Sequence, residues 1–293
     1  MRGSGNAAFW LALRASIGPI RLPNLAFLEA LPHKVARVAG RVLAAVEGDG
    51  MVDFAQARRT MVDSQVRPSD VTDLRLIAAM LDVPREQFVP AARRSIAYLD
   101  IDVPVGEQGG RALLKPMVLA KLLQAAGVGE GDRVLDVGCA TGYSTAVLAR
   151  LAEQVIGLEE DVALARIAGE TLAASGVSNV SVVSGALPDG WQRNAPYDVI
   201  VVEGASEVVP AALLSQLADG GRLVAVIGSG PMGKATIYRA AGGRATGQTL
   251  FDATAPLLPG FARPAAQAYA ASVWIDRDRP RRDAGSGFVH RPE

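Results

Sequence analysis

The residues most able to do chemistry lie in Val134-Leu135-Asp136-Val137-Gly138-Cys139-Ala140-Thr141-Gly142-Tyr143. An apolar strand-like run enters a loop with two glycines, and helix-forming sequence follows. Gly138 lets the backbone approach a ligand closely, and Gly142 lets the chain turn into the helix. Glu159 closes a second apolar run, 23 residues after Asp136. An acid at that place can accept the hydrogens of both ribose hydroxyls. The spacing G-x-x-x-G lacks the middle glycine of G-x-G-x-x-G, the one that admits a pyrophosphate. S-adenosylmethionine carries adenosine without phosphate, so this loop need only make room for an amino-acid part. The pattern favours S-adenosylmethionine over a nicotinamide cofactor, with Asp136, Gly138, Cys139, Gly142 and Glu159 as its binding candidates.

Each residue also has a plainer reading. Glu159 is followed by Glu160 and Asp161, and acids favour helix starts, so it could be a solvated acid there. Cys139 reads as a small packing residue and Tyr143 as a helix-start contact. Glu203, after the expected fourth strand, is either a solvated loop acid or a group lining the acceptor pocket. In the second case it would attract an amine and repel a carboxylate.

The elements that must position these groups are legible as short Val/Ile/Leu runs alternating with helical periodicity. Strands are expected at 133–137, 155–158, 180–183, 199–202 and 223–227, with helices at 117–126, 144–151, 162–174 and 211–217. Nearly continuous apolar strands separated by helices imply a doubly wound, mostly parallel α/β sheet, a Rossmann-like arrangement. Residues 236–239 and 272–275 are candidate late edge strands. Before the sheet, residues 53–80 show helical spacing broken at Pro68, as in two short capping helices, and residues 81–117 are loop-rich. The expected organisation is a loosely ordered extension at 1–50, a helical cap and substrate loop at 51–116, a cofactor-binding domain at 117–275 and a disordered tail at 276–293.

Composition narrows the function classes. Thirty Lys/Arg balance thirty Asp/Glu over 293 residues, which gives no global attraction to nucleic acid or to an anionic membrane. Apolar stretches such as residues 7–13 are too short for a bilayer, which needs about 20 residues. The single cysteine, Cys139, excludes an internal disulfide framework and fits a reducing cytoplasm. The two histidines, His33 and His290, lie near the ends, so neither a metal site nor a mid-fold histidine base is expected.

Several further segments carry a family resemblance. Arg59-Thr60-Met61-Val62-Asp63-Ser64-Gln65-Val66, Ala79-Met80 and Val83-Pro84-Arg85-Glu86-Gln87-Phe88-Val89 are among them. So are Ala97-Tyr98-Leu99-Asp100, Pro104-Val105-Gly106, Pro116, Ala195-Pro196-Tyr197-Asp198-Val199-Ile200 and Gly220-Gly221-Arg222-Leu223-Val224. Together with the glycine loop, they make the chain, from about residue 59 to residue 228, resemble the protein-L-isoaspartate O-methyltransferases. That resemblance implies a class I methyltransferase fold with an N-terminal helical cap. It also implies transfer of a methyl group from S-adenosylmethionine to a carboxylate, typically an isoaspartyl residue in an ageing protein.

Two departures stand out. The family places a Thr/Ser-containing segment just before the proline equivalent to Pro116, with its serine at the reacting carboxylate. Here the segment reads Gly109-Gly110-Arg111-Ala112-Leu113-Leu114-Lys115-Pro116, and no Ser, Thr or Tyr occurs between Tyr98 and Thr141. Gly109, Gly110 and Arg111, with Lys115, are the substitute candidates for holding a carboxylate, their alternative being loop hinges and solvated cations. The second departure is Ala186, where the family has an acid reaching toward adenine. Gly185, Ala186 and Leu187 would then offer the base only backbone contacts and apolar packing. The expectation is a cytoplasmic S-adenosylmethionine-dependent O-methyltransferase of protein or peptide carboxylates. Its rivals are a divergent enzyme with a small-molecule acceptor, a non-catalytic S-adenosylmethionine-binding module and, more distantly, a nicotinamide dehydrogenase.

Overall fold

The computed structural model describes residues 52–106, 110–228 and 230–263. The expected extension at 1–50, the strand at 272–275, the tail at 276–293, and both histidines lie outside the described residues.

The expected pair of short helices is α1 (Phe54–Met61) and α2 (Leu74–Asp82). Between them the chain passes a π turn at Val62–Val66 and a 3-10 turn at Arg67–Ser69 that contains Pro68. Asp73 starts α2 by accepting the free N–H groups of Arg75 and Leu76, and Leu76, Ile77, Ala79 and Met80 form its buried face. The loop-rich stretch folds into 3-10 turns at Arg85–Phe88 and Ala91–Ile96. A small antiparallel ribbon follows, β1 (Val103–Pro104) against β2 (Ala112–Leu113). Helix α3 (Pro116–Ala126) opens on a proline, whose missing N–H costs nothing in the first turn, and closes at left-handed Gly127.

Seven strands follow: β3 (Arg133–Val137), β4 (Gln154–Glu159), β5 (Val180–Ser184), β6 (Tyr197–Ser206), β7 (Leu217–Ile227), β8 (Lys234–Ala241) and β9 (Arg244–Asp252). Their spatial order is β5-β4-β3-β6-β7-β8-β9, with the first five parallel and β8 antiparallel to both of its neighbours. Helices α4 (Tyr143–Ala149), α5 (Val162–Ala174) and α6 (Ala211–Ser215) make the crossovers. Successive residues of β3 serve opposite faces: Val134 joins the larger core with Leu119, Leu123 and Val147, whereas Leu135 and Val137 pack with Leu187, Leu213 and Phe261.

The chain runs outward from β3 through β4 to β5, then returns to the other side of β3 with β6. Sheet order therefore reverses between β3 and β6. In open α/β sheets, ligands bind beyond the carboxyl ends of the strands at such a switch point. The five expected central strands and a strand at 236–239 are present, with β6 and β7 longer than their apolar centres, but the last of these, β8, is not an edge strand because β9 pairs along its outer side. β9 is a departure from expectation. It pairs along β8, yet most of its side chains are exposed, so its sequence carries no apolar alternation.

Candidate active site

The carboxyl ends of β3, β4 and β6 converge on one buried polar cluster. After β3 the chain turns at Gly138 (φ 80°) and Ala140 (φ 52°), then enters α4 through Gly142 (φ 93°). A Cβ on Gly142 would lie 3.0 Å from Leu172 and 3.3 Å from Ala168, so glycine there lets α5 close against the turn. Gly138 and Cys139 both donate their N–H groups to the carbonyl of Leu158 at the end of β4. This stitches the loop to the strand that carries Glu159.

Glu159 is fully buried, which excludes the solvated helix-start reading. Its Oε2 accepts from the Ala140 N–H at 2.7 Å, and its Oε1 from the N–H groups of Glu160 and Asp161 at 3.0 and 3.2 Å. The helix-start role belongs to Asp161, which caps α5 through Ala163 and Leu164. The remaining partner is Arg111. Its Nη2 lies 2.9 Å from Oε2, its Nε 3.2 Å from Oε1, and the same Nη2 donates to the Gly138 carbonyl at 2.5 Å. Only 6% of Arg111 is exposed. The expected solvated cation is replaced here by a buried ion pair with Glu159. Removing one partner of such a pair typically costs about 3–5 kcal/mol. Three backbone donors remain on Glu159, which places this pair at the low end of that range.

Asp136, inside β3, accepts from the hydroxyls of Ser144 and Thr145 through Oδ2 at 2.7 and 2.6 Å. Its Oδ1 is buried without a hydrogen-bond partner among the described residues. Burial pushes the Asp136 carboxyl up to about 6, against the two hydroxyl donors. Glu203 is also buried, at 5% exposure, and its Oε1 likewise has no partner among the described residues. Burial first, then the neighbouring Asp136, hold its carboxyl well above the usual range. The solvated-loop reading of Glu203 fails because Glu203 lies inside β6, at an irregularity. Val201 pairs with Val224 but Ala205 with Val226, so β6 carries extra residues there. Such a bulge re-aims side chains next to a site.

The other candidates fall as follows. Gly185 donates its N–H to the Glu159 carbonyl, which sets Gly185, exposed Ala186 and buried Leu187 beside the acid. Cys139 is buried, its thiol pushed up by burial, and packs against Gly157 as expected of a small packing residue. Tyr143 is buried at the start of α4, beneath the Arg85 guanidinium, 4.6 Å from the ring centroid. Gly110 is exposed, with open space where a Cβ would be, and Gly109 lies outside the described residues. Lys115 donates to Thr254 at 2.7 Å, which leaves it engaged away from Glu159.

Three participants were not singled out from sequence. Arg85, fully buried, donates to the carbonyls of Ala97 and Leu114 at 2.7 and 2.8 Å, fastening the ribbon next to Arg111. Nothing in the sequence marks it, because Glu86 and Gln87 follow it and the three read together as an ordinary polar turn. Leu258 comes from the segment after β9, which returns to bond with Ala205. A Cβ on Gly204 would meet Leu258 at 2.6 Å, and one on Gly138 would meet it at 3.4 Å. Trp191 flanks Gly185, 3.5 Å from where its Cβ would be. Neither had a periodic signal. Among the described residues no group of His, Cys, Asp and Glu could hold a metal ion, and no helix is long and apolar enough to cross a membrane.

The family model described as protein-L-isoaspartate(D-aspartate) O-methyltransferase matches residues 56–250. Protein-L-isoaspartate O-methyltransferase 1 of Rhodopseudomonas palustris is 41% identical over 181 residues, covering 62% of this chain and 73% of that relative. The protein-L-isoaspartate O-methyltransferase of Koribacter versatilis is 38% identical over 194 residues, covering 66% and 86%. Among solved structures, a protein-L-isoaspartate O-methyltransferase superposes with TM-score 0.62 at 25% identity, covering 71% of this chain and 66% of that one. A Plasmodium falciparum candidate for the same activity, solved with S-adenosyl-L-homocysteine, shares the fold at TM-score 0.59 and 21% identity, covering 69% and 97%.

Proposed function

This chain belongs to the protein-L-isoaspartate(D-aspartate) O-methyltransferase family, S-adenosylmethionine-dependent methyltransferases, and from that premise we propose that its acceptor is an isoaspartyl carboxylate in a protein or peptide. The acceptor is inferred from the family, and the observation that supports the methyl donor is the buried cluster at the β3/β6 switch point. It offers one carboxylate for a sugar, Glu159, and one buried carboxylate oxygen with no partner among the described residues, Asp136 Oδ1, for a cationic amine. Those residues fit the cofactor. Glu159 would take the ribose hydroxyls, Asp136 the methionine ammonium, and the turn from Gly138 through Cys139 to Gly142 the adjoining backbone. Gly185, Ala186 and Leu187 would border the adenine.

The chemistry supplied by bound S-adenosylmethionine is an electrophilic methyl on a sulfonium. A carboxylate with an ordinary pKa of about 4 is already the ionised nucleophile at neutral pH, so no general base is required of the chain. What the residues must do is align the carboxylate oxygen and keep water out. Leu258 and the apolar ends of β3 and β6 supply the dry wall. Glu203 would oppose a second carboxylate if ionised. Its burial favours the protonated form, which turns it from a repelling group into a hydrogen-bond donor.

The same Glu203 supports a second reading, an amine acceptor on a small molecule, because an ammonium would draw it into its ionised form. One assay separates the two. Purified protein is incubated with labelled S-adenosylmethionine and either an isoaspartyl peptide, its aspartyl isomer, or an amine-bearing analogue. Base-labile label on the isoaspartyl peptide alone is expected. Label that resists base, or appears only on the amine, would reject the carboxylate reading.

A further inference from the structure

Arg111 and the proposed cofactor compete for the same atoms. Each Glu159 oxygen offers about two acceptor sites. Oε2 takes the Ala140 N–H and Arg111 Nη2, Oε1 takes the N–H groups of Glu160 and Asp161, and Arg111 Nε is shared between both oxygens at 3.2 and 3.3 Å, so five donors already crowd about four sites and Arg111 holds the positions that a ligand's hydroxyls would need. A sugar diol cannot be added to that set. It can only replace Arg111, because the backbone donors are fixed by the turn and by the start of α5. The guanidinium also covers the turn itself. Its Nη2 lies 2.7 Å from the point where a Cβ of Gly138 would be, a place that any side chain there would contest.

The backbone that carries Arg111 is held independently of its side chain. The Arg111 carbonyl accepts from Val105 N–H at 2.9 Å, the Leu114 carbonyl accepts from Arg85 at 2.8 Å, and Lys115 N–H donates to Asp102 at 2.9 Å. Rotation of one long side chain about a fixed root therefore suffices to vacate Glu159. An expelled guanidinium in a buried setting needs another anion. No hydroxyl-bearing side chain occurs between Tyr98 and Thr141 to receive an acceptor carboxylate, and a planar guanidinium is well matched to that group.

We propose that Arg111 is a shared guanidinium: it holds Glu159 in the ligand-free protein, is displaced when a ribose takes that carboxylate, and then binds the acceptor's carboxylate. Its second role rests on the isoaspartyl reading above; its first does not. Two consequences follow from linkage. Cofactor and acceptor strengthen each other's binding by the same factor, since each depends on where Arg111 lies. The free protein binds the cofactor more weakly than its contacts allow, because the competent state is only a fraction of the population.

Calorimetric titration of the whole chain with S-adenosylhomocysteine, with and without an isoaspartyl peptide, tests this. In the unsubstituted protein the peptide should bind at least about tenfold more tightly once S-adenosylhomocysteine is present. Arg111→Gln should bind S-adenosylhomocysteine about tenfold more tightly than the unsubstituted protein and lose the coupling to peptide. Arg111→Lys should fall between the two, because an ammonium cannot span both Glu159 oxygens and the Gly138 carbonyl, and it carries the test if Arg111→Gln fails to fold. Unchanged or weaker S-adenosylhomocysteine binding in both variants would overturn the proposal. If the unsubstituted protein binds S-adenosylhomocysteine but no peptide, the second role falls with the isoaspartyl reading. Tighter binding in Arg111→Gln would then still uphold the exchange at Glu159.

Discussion

Three carboxylates within one buried cluster differ in their hydrogen-bond partners. Glu159 is held by four donor groups, whereas Asp136 and Glu203 each keep one oxygen without a partner among the described residues. For Asp136 the sign of the pH dependence can be worked out. Its ordinary value is 3.8 and burial raises it to about 6 in the folded chain. Between those values the folded state holds a proton that the unfolded state has lost, so stability falls as pH rises through that window. Two pH units correspond to about 3 kcal/mol at most. Urea unfolding of the ligand-free protein should therefore give a free energy that declines from about pH 4 to about pH 6, with Glu203 adding in the same direction. Asp136→Asn should make that decline shallower. An unchanged slope in the variant would show that Asp136 is not the group responsible.

At the scale of elements, the site depends on a strand irregularity and on a segment that returns from the far edge of the sheet. The bulge in β6 turns Glu203 inward, and Gly204 beside it gives room to the segment carrying Leu258. A Cβ at Gly204 would lie 2.6 Å from Leu258 and 2.9 Å from the Pro256 carbonyl, a backbone atom that cannot easily move. Overpacking of this kind costs about 1–3 kcal/mol. Gly204→Ala should lower the urea midpoint correspondingly without changing the slope of the transition. An unchanged midpoint would mean that the returning segment is not seated there. The glycine loop, Glu159 and the central strands were legible because their signals are local: a turn that needs positive φ, and apolar runs buried on both faces. The state of Arg111 was not, because its partner lies 48 residues away and only the folded chain brings the two together. Leu258 and β9 were hidden for a related reason. The first is an isolated apolar residue in a non-periodic segment, and the second faces outward, so neither repeats at a strand or helix period.

Across the whole molecule, the reversal of sheet order between β3 and β6 gathers residues from distant parts of the sequence at one end of the sheet. The helical segments before the sheet contribute through Arg85 and Phe88, which reach the Leu114 and Thr141 neighbourhoods. The segment after β9 contributes Leu258 from the opposite direction. Whether Glu159 is the sugar-binding carboxylate is tested most directly by a crystal structure with S-adenosylhomocysteine. The account predicts ribose hydroxyls on the Glu159 carboxylate and Arg111 withdrawn from it. A ligand seated elsewhere, or a ribose bound while Arg111 still holds both Glu159 oxygens, would contradict it.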